Sequence, residues 1–257
     1  MKEPILKEFK IIQFKKEEKT KEQIVKAVSE YTLNIKLNNI PVASLVCLPT
    51  DLKELAIGYL ISEGLLKNLD EIDLIKEIYP NIFINTKKEI KDIELYTELR
   101  SSGCVGIKQT WEQNVEKIED FSLKIDINTI FHAQEVLNKK CNIWKTSGGT
   151  HSAATFSWKG DLIAFYEDVG RHNAIDKVIG YMYLNKINSQ SCFLVSTGRQ
   201  SAGMILKLIR ARIPLVVSNT APMVQGIELA RNYGVTLICF ARDPKLSVYA
   251  NEIRIIT

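Results

Sequence analysis

The fold is decided by three apolar runs: SCFLVS (191–196), IPLVVS (213–218) and VTLICF (235–240). Two segments with a helical pattern, 201–211 and 222–233, separate these runs. Each run has the length of a buried strand. Strands that are joined through helices of this length form right-handed crossovers and run in the same direction. The stretch therefore predicts a largely parallel sheet that is covered by helices.

The alternation of strands and helices extends upstream to about residue 127. Two further strands are predicted at 151–158 and 161–168, and a helix is predicted at 173–185. Together with the three apolar runs, these segments predict one α/β domain over residues 126–257.

Before that domain the pattern changes to a hairpin followed by a helix. Apolar residues alternate from Tyr31, Asn38-Asn39 provides a turn, and a second apolar run returns to Cys47. The helix is predicted to begin after Asp51 and to end at a glycine, Gly64. We therefore expect a smaller α+β domain over residues 1–125.

The composition is that of a globular protein with a mild positive charge. Of the 257 residues, 46% are hydrophobic and 25% are charged, which argues against disorder. The net charge of +4 favours anionic ligands slightly, but it is too small for a general nucleic-acid binder. No apolar run approaches the roughly 18 residues of a membrane span, and residues 1–26 contain no apolar core of a secretory signal. We expect no nucleic-acid partner and no insertion into a membrane.

The five cysteines favour a reducing cytoplasm, because their number is odd and their spacing is unlike that of a disulfide framework. Four of them lie in apolar strand-like runs or at a helix end: Cys47, Cys141, Cys192 and Cys239. Buried thiols of this kind behave as small hydrophobic groups.

Cys104 differs from the other cysteines because it lies in RSSGCVGIK (100–108), close to two glycines. Arg100 and Lys108 are each four positions away. Glycines let a loop expose the sulfur, and positive charge lowers the pKa of a thiol. Cys104 is therefore either a reactive thiol or an ordinary loop cysteine.

Metal binding is not predicted. His132, His151 and His172 are spread along the chain, and neither a C-x-x-C nor an H-x-E pair occurs. A zinc site assembled from distant residues is the remaining alternative. The glycine motifs G-x-G-x-x-G and G-x-x-x-x-G-K-[ST] are also absent, which excludes a standard dinucleotide fold and a P-loop enzyme.

Four polar loops follow the predicted strands: EDVGRHN (167–173), STGRQS (196–201), SNTAP (218–222) and FARDPK (240–245). In open parallel sheets, ligands bind beyond the carboxyl ends of the strands. Three of the loops lead into helix N-termini, which attract anions. Three of them carry an arginine, which suits phosphate. The loops predict a site for a nucleotide-like ligand, in which Asp168, Asp176 or Asp243 would accept hydrogens of a base or sugar.

Structural roles are the alternative interpretation. Polar residues before helices are ordinary N-caps, and Pro222 is suited to the first turn of a helix. His151 and His172 are candidates for proton transfer, although a lone histidine is more often a structural hydrogen-bonding group. Asp176 and Lys177 are expected to form a solvated pair.

Several motifs resemble those of the formate dehydrogenase accessory sulfurtransferases, the FdhD/NarQ family. In family order they are LPTDL (48–52), ELAIGYLISEG (54–64), SGGTHSAA (147–154), EDVGRHNAIDK (167–177), TGR (197–199), AP (221–222) and F-x-R (240–242) with Val248-Tyr249 after it. The string at 167–177 is the most diagnostic, because chance agreement over its whole length is negligible.

The resemblance implies a cytoplasmic sulfur carrier. It would accept sulfur from a cysteine desulfurase of the IscS type as a persulfide on Cys104. It would then pass this sulfur to the molybdenum bis(guanine dinucleotide) cofactor, bis-MGD, before the cofactor enters formate dehydrogenase. The implied fold of residues 126–257 is similar to cytidine deaminase without the zinc ligands, and the implied assembly is a homodimer. The cofactor-binding stretch of the family matches Phe240 through Lys245.

The loops and the resemblance together define the candidate site. Cys104 would be the catalytic residue, and no metal ligands are expected. The nucleotide part of bis-MGD, for which GDP is a simple probe, would be bound by Phe240, Ala241, Arg242, Asp243, Pro244, Lys245, Arg171, His172, Thr197, Gly198, Arg199, Ser218 and Asn219. Cys104 and these residues are expected to face a common chamber.

The chain departs from the family at the cysteine loop. Many members have G-C-G-x-C-G, whereas GCVGI (103–107) contains one cysteine. A single thiolate can still accept and donate sulfur by exchange, but it cannot form a disulfide within the loop. A cofactor-binding chaperone without sulfur transfer is therefore the alternative function. A nucleotide-modifying enzyme is a more distant alternative, which the missing metal motif disfavours.

Overall fold

The structure of the protein is a computed structural model that describes residues 4–16, 20–88 and 115–257. The predicted reactive loop, with Arg100, Cys104 and Lys108, lies outside the described residues.

The elements are numbered in chain order. Before residue 88 they are β1 (Leu6–Gln13), β2 (Lys21–Val28), β3 (Tyr31–Leu37), β4 (Ile40–Cys47), α1 (Leu52–Ser62), β5 (Ile72–Ile78) and β6 (Asn81–Thr86). After residue 115 they are β7 (Ile125–Asp126), α2 (Ile127–Lys140), α3 (Asn142–Ser147), β8 (His151–Ser157), β9 (Leu162–Asp168), α4 (Arg171–Leu184), β10 (Cys192–Ser196), α5 (Ala202–Arg210), β11 (Leu215–Ser218), α6 (Val224–Tyr233), β12 (Thr236–Arg242), β13 (Lys245–Ala250) and β14 (Ile255–Ile256).

The largest sheet has six strands in the order β13-β12-β11-β10-β8-β9. β10, β11 and β12 pair in parallel, whereas β8 is antiparallel to both β9 and β10, and β13 is antiparallel to β12. The strands β9, β10, β11 and β12 consequently share one direction. The four polar loops therefore meet at the edge of the sheet that is formed by the carboxyl ends of these four strands. His151, at the start of the antiparallel strand β8, lies at the same edge.

The prediction of a largely parallel sheet is correct for these four strands and wrong for the other two. β8 is inserted between β9 and β10, and β13 forms an antiparallel edge. The connections 158–161 and 243–244 are only a few residues long. A parallel return needs a crossover of about a dozen residues or more, so these connections join antiparallel strands.

Apolar residues of the sheet alternate between its two faces. Val195 and Val217 pack with Leu137 of α2 on one face. Leu194 and Val216 face the opposite way and belong to the cluster that includes α4, α5 and α6. The period of two along each strand thus places helices on both sides of the sheet.

A four-stranded sheet of order β4-β3-β6-β5 lies beyond α1. Ile35 of this sheet and Leu55 of α1 belong to the same buried cluster as Ile179 and Leu208 on α4 and α5. Apolar packing therefore continues across the expected domain boundary near residue 125, and the division into two domains stays a prediction.

Hydrogen bonds hold residues 118–120 at the end of the large sheet that lies opposite the polar loops. The N–H of Ile118 donates to the carbonyl oxygen of Tyr233, at 2.9 Å, just before β12 begins. The fully buried guanidinium of Arg254 donates to the carbonyl oxygens of Asp120 and Gly234, at 2.7 and 2.9 Å. The loop 240–245 lies at the other end of β12, about 20 Å away at the usual rise of a strand.

Candidate functional site

Hydrogen bonds connect the loops that follow the parallel strands. The N–H of Ser152 on β8 donates to the hydroxyl of Thr197 at 2.9 Å. The hydroxyl of Ser218 donates to the carbonyl oxygen of Gly198, also at 2.9 Å. The N–H of Phe240 donates to the carbonyl oxygen of Thr220 at 3.1 Å. Neighbouring loops are thereby held in a fixed relation to one another.

A cavity of about 670 Å³ opens at this edge. The strand-end loops and β8 contribute Thr150, His151, Ser152, Val169, Thr197, Asn219, Thr220 and Arg242 to its wall. The opposite wall comes from α2, α3 and the glycine turn, through Asn138, Cys141, Trp144, Lys145, Gly148 and Gly149. Its volume is in the range that is typical of small-molecule sites.

A second cavity of about 480 Å³ adjoins the first. Asn138, Asn219 and Arg242 line both cavities. The remaining wall of the second consists of Asn128, Phe131, His132, Gln134, Glu135, Ala241 and Asp243. The carboxamides of this wall can donate and accept hydrogen bonds, its carboxylates can accept them, and Phe131 offers an apolar ring for stacking, which together suit a heterocyclic base.

Two residues that line these cavities each carry an acceptor that lacks a partner within the described chain. The Oδ1 atom of Asn219 is buried and accepts no hydrogen bond there. The Oε1 atom of Gln134 is also buried and accepts no hydrogen bond there, and Gln134 is only 4% exposed. A buried acceptor without a partner costs free energy, and an N–H group of a ligand would offset this cost once the carboxamide turns toward the cavity.

Positive charge dominates the surroundings of His151. Burial lowers the pKa of this imidazole below its usual value, and the nearby Arg171 and Arg199 guanidinium groups lower the pKa further. Nδ1 of His151 lies 3.4 Å from the hydroxyl of Thr197. The imidazole is therefore neutral at pH 7, and Arg171 and Arg199 give this edge of the sheet an anion-attracting field.

The helices that follow the strand-end loops, α4, α5 and α6, are not capped by the side chains of their N-cap residues. Gly170, Ser201 and Met223 are the N-cap residues of α4, α5 and α6, and none of these three makes a side-chain capping bond. The ordinary N-cap interpretation therefore does not hold at these positions. The expectation that Pro222 lies in the first turn of α6 is also wrong: α6 begins at Val224, and Pro222 forms a bridge with Gln200.

Asp168 is a structural residue, so its expected contact with a base or sugar is wrong. Its carboxylate is fully buried and lies 2.8 Å from Nζ of Lys177. It also accepts hydrogen bonds from the N–H groups of Leu48 and Gly170 and from the amide of Asn173. Asp168 thus fastens α4 to the segment that precedes α1.

Asp176 is likewise buried away from the cavity, and its expected solvated pair with Lys177 is wrong. Its carboxylate accepts a hydrogen bond from the hydroxyl of Ser62 at 2.6 Å and lies 3.0 Å from Nζ of Lys207. Burial raises the pKa of Asp176 to about 6, which the charge of Lys207 opposes. The pair is charged at neutral pH and connects α1, α4 and α5.

The remaining predicted binding residues fall into three groups. Thr197, Asn219, Ala241, Arg242 and Asp243 line a cavity. Gly198 and the fully buried Ser218 connect loops, and Gly198 leaves room for the side chain of Arg171. Those that line neither cavity in the described chain are Arg171, His172, Arg199, Phe240, Pro244 and Lys245.

The sequence analysis does not reveal the wall that α2 and α3 provide. Trp144 is 53% exposed at the cavity, and Lys145 adds a positive charge. An exposed tryptophan next to the glycine turn at 148–149 is the signal that could have identified this wall. Cys141 also lines the cavity, but burial raises the pKa of its thiol, and its Sγ lies 3.0 Å from the hydroxyl of Ser152.

The other described cysteines are buried thiols, as expected. Burial raises the pKa of Cys47 and of Cys239 to about 12, and that of Cys192 also rises. Across residues 4–16, 20–88 and 115–257, no three His, Cys, Asp or Glu side chains group as metal ligands do. Within the same ranges, no helix has both the length and the apolar character needed to cross a membrane.

Comparisons with known proteins identify the family. The profile of the FdhD/NarQ family matches residues 28–256. The sulfur carrier protein FdhD of Methanothermobacter thermautotrophicus is 36% identical over 90% of this chain and 92% of its own. The protein of the same name from Saccharolobus solfataricus is 34% identical over 97% of this chain and 98% of its own.

A solved structure shows the same architecture. A protein from Desulfotalea psychrophila that is described as a formate dehydrogenase accessory protein has a crystal structure that superposes on this chain with a TM-score of 0.81, at 25% sequence identity. The match covers 98% of this chain and 100% of the other. The strand-end loops that meet at the cavity fall within the family match, and the chain belongs to the FdhD/NarQ family.

Proposed function

We propose that this protein is a sulfur carrier in the maturation of formate dehydrogenase, and that the strand-edge cavity holds the nucleotide part of bis-MGD. One observation carries the proposal. In a chain that matches sulfur carrier proteins over nine-tenths of its length, Thr197, Asn219 and Arg242 from three separate loops line one cavity.

The charges and hydrogen-bonding groups of the cavity suit a guanine nucleotide. Arg242 lies between the two cavities, where its guanidinium would bind phosphate oxygens in bidentate fashion. The positive field of Arg171 and Arg199 around His151 also favours a negatively charged group such as phosphate. Asn219 and Gln134 each present a buried acceptor, and the guanine edge offers N–H donors to such acceptors.

Cys104 would carry the sulfur. Its thiolate would attack the outer sulfur of a persulfide on a cysteine desulfurase of the IscS type. The new bond joins Cys104 to that sulfur, and the donor cysteine leaves as a thiolate with the electrons of the broken S–S bond. No oxidant is consumed. Arg100 and Lys108 would favour the anionic form of both thiol and persulfide.

The distance along the chain permits this thiol to approach the bound cofactor. Cys104 precedes the fixed residue Ile118 by fourteen positions, which span up to about 46–50 Å when extended. The strand β12 that separates Ile118 from the cavity edge is about 20 Å long. Positioning of cofactor and persulfide would then supply most of the rate.

The family resemblance adds three finer proposals. Residues 126–257 would be similar to the cytidine deaminase fold without its zinc ligands, and two chains would form a homodimer. The partners would be a cysteine desulfurase, which donates the sulfur, and formate dehydrogenase, which receives the completed cofactor.

A cofactor-binding chaperone without sulfur transfer is the second candidate, because GCVGI (103–107) contains a single cysteine. Transfer of labelled sulfur from a cysteine desulfurase distinguishes the two functions. We expect label on the wild type and on Cys141→Ala, and none on Cys104→Ala. A chaperone would bind GDP without taking up label in any form of the protein. Label on Cys104→Ala would contradict the assignment of the sulfur site.

A further inference from the structure

We propose that the outer edge of β1 is a self-pairing surface, at which two copies of this chain join their β1–β2 ribbons into one four-stranded sheet. The surface is defined by residues 6–12 of each copy. It precedes the residues that match the family, 28–256, so the proposal goes beyond sulfur transfer and does not depend on it.

The β1–β2 ribbon is poorly supported by the rest of the described chain. Ser29 holds its base through hydrogen bonds to the carbonyl oxygens of Pro4 and Ile5, and Val28 packs beside Gly149. Beyond this base the ribbon exposes large apolar side chains: Phe9 (52%), Ile12 (59%), Phe14 (79%) and Ile24 (62%). Ile12, Phe14 and Ile24 lie on one face of the ribbon, and Phe9 lies on the other. A two-stranded ribbon is marginally stable in water, and additional strands stabilise it.

Among the described residues, β1 pairs with β2 alone, so one edge of β1 offers backbone groups to another strand. An exposed strand edge with unpaired backbone groups is a template for strand addition. Two identical strands that meet across a two-fold axis pair in antiparallel fashion, and the contact closes on itself without forming a fibre.

The sequence LKEFKII (6–12) is complementary to itself under such an axis. With the axis at Phe9, residue 9 meets its own copy, and residue 8 meets residue 10. The two phenylalanine rings would stack at the centre, and Leu6 would lie opposite Ile12. Glu8, whose carboxylate lies 3.6 Å from Nζ of Lys26 within its own ribbon, would also lie opposite Lys10 of the other copy. The two-fold axis makes this contact twice, which gives two reciprocal pairs of opposite charge. This complementarity of charge is what selects a second copy as the occupant.

The edge of β1 is favoured over that of β2. Contacts with α3 are made through β2, where Cγ1 of Val28 stands 2.7 Å from the Cβ position of Gly149. A second copy along β2 would have to fit beside this junction. Lys10, in contrast, lies opposite Ile24 within the ribbon, so it is not committed to an ion pair across β2.

Cysteine cross-linking of the full chain tests the proposal. In a Cys104→Ser background, Phe9→Cys would place two thiols on the axis, close enough for a disulfide. Phe14 is the more exposed of the two phenylalanines, but it lies far from its own copy in the proposed register. We expect diamide to link Phe9→Cys into a dimer at least about tenfold faster than Phe14→Cys. A dimer formed through another surface would not give this difference.

Charge exchange then tests the register. In the Phe9→Cys protein, Lys10→Glu places Glu opposite Glu twice and should slow the cross-linking by about tenfold. Glu8→Lys should do the same between copies, and it also removes the pair of Glu8 with Lys26 inside the ribbon. A mixture of the two variants restores both opposite-charge pairs and should restore the rate, whereas the exposed control Lys159→Glu should leave it unchanged. Equal rates for Phe9→Cys and Phe14→Cys, or faster linking through Ile24→Cys, would overturn the proposal.

Discussion

Gly58 of α1 and Gly180 of α4 each face the backbone of the other's helix. A Cβ atom on Gly58 would stand 1.7 Å from the carbonyl oxygen of Asp176, and one on Gly180 would stand 1.9 Å from that of Glu54. The two helices therefore touch through their backbones. Because α4 begins with Arg171, this contact helps to fix the anion-attracting edge of the site.

The first prediction is that Gly58→Ala destabilises the protein by about 3 kcal/mol, since backbone atoms cannot move aside as a flexible side chain would. Gly148→Ala is the control. Its Cβ would meet no atom within 4 Å, so only the left-handed backbone at φ +69° adds a cost, of about 1 kcal/mol. Urea unfolding measures both values. A loss at Gly58 no larger than that at Gly148 would show that the helices can separate freely.

The second prediction concerns the buried pair Lys177–Asp168. Lys177→Met leaves the carboxylate of Asp168 buried without its cation and should cost about 3–5 kcal/mol. The matched control is Lys139→Met, which removes an exposed partner of Glu135 and should change the stability little. Thermal unfolding compares the two variants. Equal stabilities would mean that the motif at 167–177 contributes to ligand binding and not to the stability of the fold.

The third prediction concerns the pKa of His151, which NMR titration of its ring protons should place below the usual 6.5. Arg199→Ala removes one positive neighbour and should raise this pKa, although burial keeps it below the usual value. Bound GDP should also raise it, because phosphate charge favours the imidazolium. The unfolded chain binds this proton more readily, so protonation of His151 destabilises the fold as the pH falls below about 6.5. A pKa that does not respond to GDP would place the nucleotide elsewhere.

The fourth prediction assigns phosphate binding to Arg242. Arg242→Ala should weaken GDP binding by about tenfold or more, the loss expected for a charge-assisted contact. Arg231→Ala is the control, since its guanidinium donates to the carbonyl oxygen of Tyr249 and lines neither cavity. Isothermal titration calorimetry reports both affinities. The same affinity in both variants would remove Arg242 from the site.

Much of the fold can be predicted from the sequence. The strands at 192–196 and 236–242 and the helix α4 follow from apolar runs of the expected length, within a few residues. The convergence of the loops follows from the shared direction of β9 to β12. The position of β8 between β9 and β10 cannot be predicted, because strand order depends on contacts between distant residues and leaves no local pattern.

The candidate site can be predicted in part, for the same reason. Thr197, Asn219 and Arg242 are identifiable because strand ends gather at one edge. The expected roles of Asp168 and Asp176 are wrong, because a carboxylate at a helix start has the same local sequence whether it meets solvent or a buried lysine. The wall at residues 144–145 has only the weaker signal of a tryptophan near a glycine turn. The short helix α3 is positioned by its packing and by Glu167, which accepts hydrogen bonds from the N–H groups of residues 143 and 144.

The most direct test of the central claim is native mass spectrometry of the protein purified from cells that make formate dehydrogenase. We predict that the wild type carries a guanine nucleotide ligand together with one additional sulfur atom on the peptide that contains Cys104. We predict that Cys104→Ala keeps the ligand and loses the sulfur. Additional sulfur on any other cysteine of the alanine variant, or a wild type that binds no nucleotide, would contradict the account.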